Sequence, residues 1–178
     1  MVQIIIFSLF ISLLALSPGA QAAPKALQPV AVVVNNAKGE QVASLNLTQE
    51  KNGVQMALLV NKLPPGSYAV HIHENGLCDG PDFKSAGDHF NPENKKHGKV
   101  TGGSHAGDLP NIEVKEDGTG EIHQRSNRVT LEEGAHSLLR SNGTSLVIHA
   151  KADDYKTQPS GGAGDRIACG VIKSPTVK

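Results

Sequence analysis

The feature that most limits what this chain can fold into is a succession of short apolar runs, each ended by a turn signal before it could complete a long helix. Pro29 to Asn35 is a Val-rich run closed by an Asn pair, and Glu40 to Thr48 sets Val42, Leu45 and Leu47 among polar residues. Lys51-Asn52-Gly53 has hairpin-turn chemistry. Val54 to Val60 follows, then the turn Pro64-Pro65-Gly66 and the run Tyr68 to His73. Further runs lie at Asn111 to Val114 and Gly120 to His123, around Asp117-Gly118, and then at Thr144 to His149 and Ile167 to Ile172. Runs of this length bounded by Gly, Pro and Asn predict strands of an antiparallel sandwich or barrel. No internal repeat and no amphipathic helix interrupts them; Val129 to Leu139 is expected to carry at most a short turn of helix.

Two stretches break the rhythm. From Glu74 to Pro110 there is little periodicity and much Gly, Pro, Asn, Asp and Lys, and Lys151 to Asp165 is a second polar, Gly-rich loop. So long a stretch without strands inside a compact domain implies a functional loop that something must order. Aromatics make up 3% of the chain and Trp is absent, so Val, Ile and Leu must fill the core, which suits a sheet. The formal net charge is +0, which argues against a nucleic-acid partner and leaves any attraction of a charged substrate to local charge placement.

The first residues read as a targeting signal. Val2 to Leu16 is apolar except for Gln3, Ser8 and Ser12; Ser17-Pro18-Gly19 breaks the run, and Ala20-Gln21-Ala22 has the form of a cleavage site. The run is short for a bilayer span. Residues 1–22 are therefore expected to be a signal peptide and 23–178 a single domain, periplasmic or secreted, with no membrane attachment once the leader is removed. In an oxidising compartment Cys78 and Cys169 form the one available pair, closing a loop of roughly 90 residues worth about 4–5 kcal/mol in the chain-entropy model. A chain kept in the cytoplasm would leave them as two buried thiols.

The eight histidines carry the chemistry. His71 and His73 are two apart in a predicted strand, so both imidazoles share one face while Val70 and Ile72 point the other way into the core. His149 closes another strand and offers a third imidazole. The long loop adds His89, His97 and His105, with Asp108 three residues after the last. Three imidazoles and a carboxylate suit tetrahedral Zn²⁺, and a cluster of imidazoles suits Cu²⁺. A bound ion would also supply the free energy that orders the loop. A single His-x-His would be read as surface histidines; six His and an Asp within two strands and the loop between them point to metal. His123 and His136 are read as structural or surface residues.

The wider motifs resemble one family. His71-Ile72-His73-Glu74-Asn75-Gly76 resembles the first copper motif of copper–zinc superoxide dismutases. Ala86-Gly87-Asp88-His89-Phe90-Asn91-Pro92, Lys96-His97-Gly98 and His105-Ala106-Gly107-Asp108-Leu109-Pro110-Asn111 resemble its zinc loop. Leu146 to Asp154 and Gly164 to Ile172 resemble its last two signatures, so the likeness runs from about Val30 to Ile172. With the leader and a short second loop, the chain is most similar to the bacterial branch.

The resemblance implies a flattened eight-stranded antiparallel Greek-key β-barrel, an immunoglobulin-like sandwich with two long functional loops, at about 74–110 and 151–166. It implies one copper per chain on His71, His73, His89 and His149, and one zinc per chain on His89, His97, His105 and Asp108, with His89 bridging the two. Asp153 would join a copper-side to a zinc-side histidine by hydrogen bonds. Arg166 would dock superoxide beside the copper, and Cys78–Cys169 would tie the loop to the barrel. The activity implied is dismutation of superoxide to O₂ and H₂O₂. Lys84, Lys95, Lys96, Lys99, Lys151 and Lys156, in or beside the loops, are candidates for a guiding field. Family members are monomers or homodimers, so a homodimer is a candidate assembly. The competing readings are a catalytically inactive member of the fold and an exported copper or zinc carrier; with two Met, the chain lacks a carrier's Met-rich site. A hydrolase is disfavoured because no Gly-x-Ser-x-Gly is present.

Overall fold

The computed structural model describes residues 27–174; the expected signal peptide lies outside them. Nine strands and one 3₁₀ turn make up the fold: β1 Val30–Asn36, β2 Gln41–Glu50, β3 Gly53–Val60, β4 Gly66–Tyr68, β5 Val70–His73, the turn Lys84–Ala86, β6 Ile112–Val114, β7 Gly120–Ser126, β8 Thr144–His149 and β9 Arg166–Ile172. One sheet has the order β5-β8-β9-β1-β2-β3-β7, and a two-stranded sheet pairs β4 with β6. Every ladder is antiparallel. The hairpin from β6 to β7 is closed by Lys115 N–H donating to Thr119 O, and β4 runs through Ala69 into β5. The two sheets thus curl into a barrel of Greek-key order.

The run Tyr68 to His73, expected as one strand, is divided at Ala69. There the chain exchanges partners: Tyr68 pairs with Ile112 and Val70 with Ile148, while Ala69 N–H donates to Lys151 O and Ala69 O accepts from His149 N–H. Counted as one strand that changes sheets, β4 and β5 bring the barrel to the expected eight. The segment Val129 to Leu139, which had room for at most a short turn of helix, forms none. Gln49 Oε1 accepts from Leu131 N–H and from the Thr130 hydroxyl, Thr130 N–H donates to His136 O and Leu138 N–H to Thr130 O, so these donors are spent outside a helix.

The strands form where the period of two holds. Val30, Val32 and Val34 face the core from β1, and Val54, Met56, Leu58 and Val60 from β3. The three-residue step from Val42 to Leu45 departs from that period, and a β-bulge explains it: Val34 pairs with Ala43 and Asn35 with Gln41, leaving Val42 extra. Strand β8 is buried at all six positions. Leu146 and Ile148 face the barrel core, while Val147 on the opposite face packs with Phe83, Ala86 and Cys169 beneath the long loop. Cys78 and Cys169 are disulfide-bonded, with Cα atoms 5.7 Å apart, and tie that loop to β9.

Candidate metal centre

The pleat of β5 acts as expected. Val70 and Ile72 are fully buried in the core, and His71 and His73 stand on the other face, buried at 0% and 1% exposure. The loop completes the burial by stitching itself along β5: Phe90 N–H donates to Ile72 O, Ile72 N–H to Gly107 O, and Leu109 N–H to Val70 O. His149 ends β8, where a register shift sets it opposite Arg166. That bulge turns the imidazole and the guanidinium toward one mouth. All seven expected ligands, His71, His73, His89, His97, His105, Asp108 and His149, are buried and brought together.

They fall into two groups that meet at His89. The first is His71, His73, His89 and His149, with one ligand atom of each within 4.8 Å of the others. The outward nitrogens are committed. His73 Nδ1–H donates to Gly87 O at 2.9 Å, His149 Nδ1–H to Gly164 O at 3.2 Å, and His71 Nε2–H to Asp153 Oδ2 at 2.9 Å. What remains facing inward is a set of lone pairs. His71 Nδ1 and His89 Nε2 are buried with no partner, and His73 Nε2 faces His149 Nε2 at 3.4 Å. Buried acceptors converging without a donor are costly unless a cation lies between them.

In the second group one carboxylate oxygen gathers three imidazoles. Asp108 Oδ1 lies 3.1 Å from His89 Nδ1, 3.1 Å from His97 Nδ1 and 3.2 Å from His105 Nδ1, and His105 Nδ1 is 3.3 Å from His89 Nδ1. A tetrahedron with metal–ligand arms of about 2.0–2.1 Å has edges of about 3.3 Å. His71 also lies within 4.8 Å of His89, His97 and Asp108, but its Nε2 belongs to Asp153, and the shorter distances make His105 the fourth member. Asp108 Oδ2 is fixed by the N–H groups of Gly98 and His105, both at 3.0 Å.

Asp153 connects the groups, accepting from His71 Nε2–H on Oδ2 and from His97 Nε2–H on Oδ1 at 3.0 Å. Each end of that link is clamped from afar by a carboxamide that sequence reasoning missed. Asn111 pairs with both backbone groups of Asp153, and Gln158 with both of His97. Gly161 makes room for the link: a Cβ there would lie 1.8 Å from Asp153 Oδ1, and its φ of +69° favours glycine in any case.

Burial, reinforced by the neighbouring histidines, pushes the metal-free imidazoles down, His73 to about 2, His149 to about 3 and His89 to about 4. Burial opposes ionisation of Asp153, but the hydrogen bonds from His71 and His97 outweigh it and hold the carboxyl down at about 2. Asp108 is likewise held well below the ordinary carboxylate range, its burial overcome by hydrogen bonds from His105 and His89. At neutral pH His73, His89 and His149 are therefore neutral and Asp108 is ionised, the forms that bind metal.

The first group opens on a cleft of about 640 Å³ whose lining includes His73, His89, His149 and Arg166. Arg166 is fixed there by Nη1–H donating to Phe83 O and Nη2–H to Gly87 O, both at 2.8 Å. None of the six lysines expected to guide an anion lines this cleft. Its second cation is Arg140, and Glu74 and Asp88 add carboxylates. Lys84 and Lys95 are paired with Asp82 and Glu93, and Lys99 lies over the Tyr155 ring. His123 is an exposed residue beside Glu121, and His136 Nδ1–H donates to Arg128 O, as befits structural histidines.

The family model for copper/zinc superoxide dismutase (SODC) matches residues 42–172. The chain belongs to the copper/zinc superoxide dismutase family. It is 50% identical over 141 residues to Cu-Zn superoxide dismutase 1 of Aquifex aeolicus, covering 78% of this chain and 83% of that protein. It is 34% identical over 177 residues to the Cu-Zn superoxide dismutase of Escherichia coli K12, covering 94% and 98%. Among solved structures, a SOD-like protein from Bacillus subtilis superposes with a TM-score of 0.76 at 38% identity, covering 80% of this chain and 97% of that one. As a copper/zinc superoxide dismutase the chain is an oxidoreductase acting on superoxide, with copper and zinc as its metals, and its two histidine groups are suited to hold them.

Proposed function

We propose that His71, His73, His89 and His149 hold the copper and that His89, His97, His105 and Asp108 hold the zinc, one ion of each per chain, with His89 shared. The observation that carries this assignment is the pairing of the ring nitrogens. Every outward nitrogen of His71, His73, His97 and His149 has a hydrogen-bond acceptor, and the opposite nitrogen of each ring points into one of the two groups. Such outer partners fix the tautomer and orientation of metal-ligating imidazoles. His89 alone turns both nitrogens inward, Nδ1 toward Asp108 and Nε2 toward the first group.

Bound copper supplies a one-electron couple through which one superoxide is oxidised to O₂ and a second, with two protons, is reduced to H₂O₂. The chain does the rest. Arg166, its guanidinium fixed at the cleft, orients a small anion beside His73 and His149. The floor of the cleft includes His89, whose Nε2 can hold a proton whenever that nitrogen is free of metal. Asp108 keeps the ring in place through Nδ1, and Asp153 holds the two ligand groups in register.

The A-x-A site after an apolar run supports a leader spanning residues 1–22, a mature domain from 23 and export to the periplasm or medium. The mass of the purified protein tests the leader: a start at Ala23 is expected, and a retained Val2 to Leu16 run would remove it. The assignment is tested by copper and zinc content per chain, with dismutation measured on the same sample. One of each metal with activity is expected. Full occupancy without activity would instead favour an inactive or metal-carrying member of the fold.

A further inference from the structure

His105 and Asp108 open and close a four-residue turn, with Asp108 N–H donating to His105 O at 3.2 Å. The same turn is gripped from outside by one side chain. Arg128, two residues beyond the end of β7, donates from Nη1 to His105 O at 2.7 Å and from Nη2 to Asp108 O at 2.9 Å, and Nη1 also contacts Ser104 Oγ. The backbone of Arg128 is held in turn, its N–H donating to Ser126 Oγ and its carbonyl accepting from His136 Nδ1–H. A planar fork of donors matches two carbonyls in a way a point cation cannot. Arg128 does this from a separate cavity of about 210 Å³, on whose wall it sits with Ser104, Asp108 and Tyr155, and it does not line the substrate cleft.

The geometry points to Arg128 as a positioning residue for the zinc side of the centre. It sets the separation and orientation of His105 and Asp108 through their carbonyls, and it does so without touching metal or substrate. This inference rests on the ligand assignment proposed above. The hydrogen bonds of the Arg128 side chain go to Ser104, His105 and Asp108 and not to the strand-borne His71, His73 and His149, so its influence falls on zinc and spares copper.

The test uses the full-length, metal-loaded protein and its Arg128→Gln and Arg128→Lys variants. Zinc release to a chromophoric chelator is timed, copper content is measured, and cobalt placed in the zinc site reports ligand geometry by its visible spectrum. Outer partners of metal ligands typically contribute 10–100-fold, so Arg128→Gln is expected to release zinc about tenfold faster, with an altered cobalt spectrum and copper retained within about twofold. Arg128→Lys, which keeps the charge and loses the fork, is expected to fall between the variant and the parent. Zinc release and cobalt spectra matching the parent in both variants would overturn the inference. So would proportional loss of both metals with a lowered melting temperature, which is the signature of general destabilisation. If cobalt in the parent lacks a tetrahedral spectrum, the ligand assignment itself falls; if the parent has one and the variants share it, the role of Arg128 alone falls.

Discussion

The two halves of the metal centre are built by different means. On one side His71, His73 and His149 stand on β5 and β8, where pleat and the β5–β8 and β8–β9 ladders set their direction. On the other, His97, His105 and Asp108 stand on a loop whose few ladder-like contacts are isolated bridges. There the geometry comes from side chains that reach backbone: Gln158 to His97, Arg128 to His105 and Asp108, and Asp108 itself to Gly98. A strand holds its ligand with or without the ion. A loop held by such contacts gains much of its order from the ion, because binding free energy is also ordering free energy.

Removing one ligand from each half breaks the comparison most directly. His149→Ala is expected to weaken copper retention by more than the 10–100-fold typical of outer partners, to abolish dismutation and to leave zinc largely in place. Asp108→Ala is expected to do the converse for zinc and, in addition, to raise hydrogen exchange across residues 89–108, which His149→Ala leaves protected. Metal content and exchange on the same samples decide it. Equal loss of both metals in His149→Ala would mean that the groups do not act as two sites sharing His89.

The disulfide is the covalent join between the halves, with Cys78 on the loop and Cys169 on β9 at a sequence separation of 91. A loop closed over that length is worth about 4–5 kcal/mol in the chain-entropy model. Cys78→Ser together with Cys169→Ser is therefore expected to lower the melting temperature by roughly 10–15 °C. The same change should loosen the segment around Phe83 and Ala86, which packs against Cys169, more than the strand ligands. A shift of a few degrees in calorimetry would show that packing and metal alone hold the loop.

The metal-free protein should titrate in the same sense. His73, His89 and His149 have folded-state values depressed below the ordinary imidazole value, to about 2, 4 and 3. The unfolded chain takes up protons at these three as pH falls through about 6.5, while the folded chain does not, so stability falls from that point down toward the folded values. Asp108 and Asp153, also depressed, add a further loss below about pH 4. Thermal melts of the metal-free protein should thus drop steadily between pH 7 and 4, and saturating zinc should raise the curve above pH 6 while keeping its slope, since the zinc-bound fold takes up no protons at these rings either. A flat profile without metal would mean the imidazoles are not held neutral by burial.

What could be read from the sequence follows the same division. The strand half was legible because it is local: a period of two fixes the shared face of His71 and His73, and the structure keeps it. The loop ligands were legible as residue types in family motifs. What holds them was not, since Gln158 and His97 are 61 residues apart and Asn111 and Asp153 are 42 apart, and nothing local marks such pairs. The break at Ala69 was hidden because its cause, a change of partner from β6 to β8, lies in distant strands. The lysines are the mirror-image case. Proximity along the loops did not bring them to the cleft, whereas Arg140, distant in sequence from every ligand but His149, is there.

The charge at the cleft gives the smallest and most discriminating effect. Asp88, the residue before His89, is exposed, lines the cleft and acts electrostatically on Arg166. Its carboxylate offsets the positive potential that would draw an anion inward. Asp88→Asn removes that charge without removing a ligand, so kcat/KM for superoxide is expected to rise about two- to threefold at low ionic strength. Because exposed charges are screened over about 10 Å at 0.1 M salt and over less at higher salt, the gain should vanish near 0.5 M. Metal content should match the parent, which separates steering from site geometry. Arg140→Gln should shift the rate the other way by a similar factor. If neither variant changes the salt dependence, Arg166 alone governs capture, and the remaining charges of the cleft are only its solvated rim.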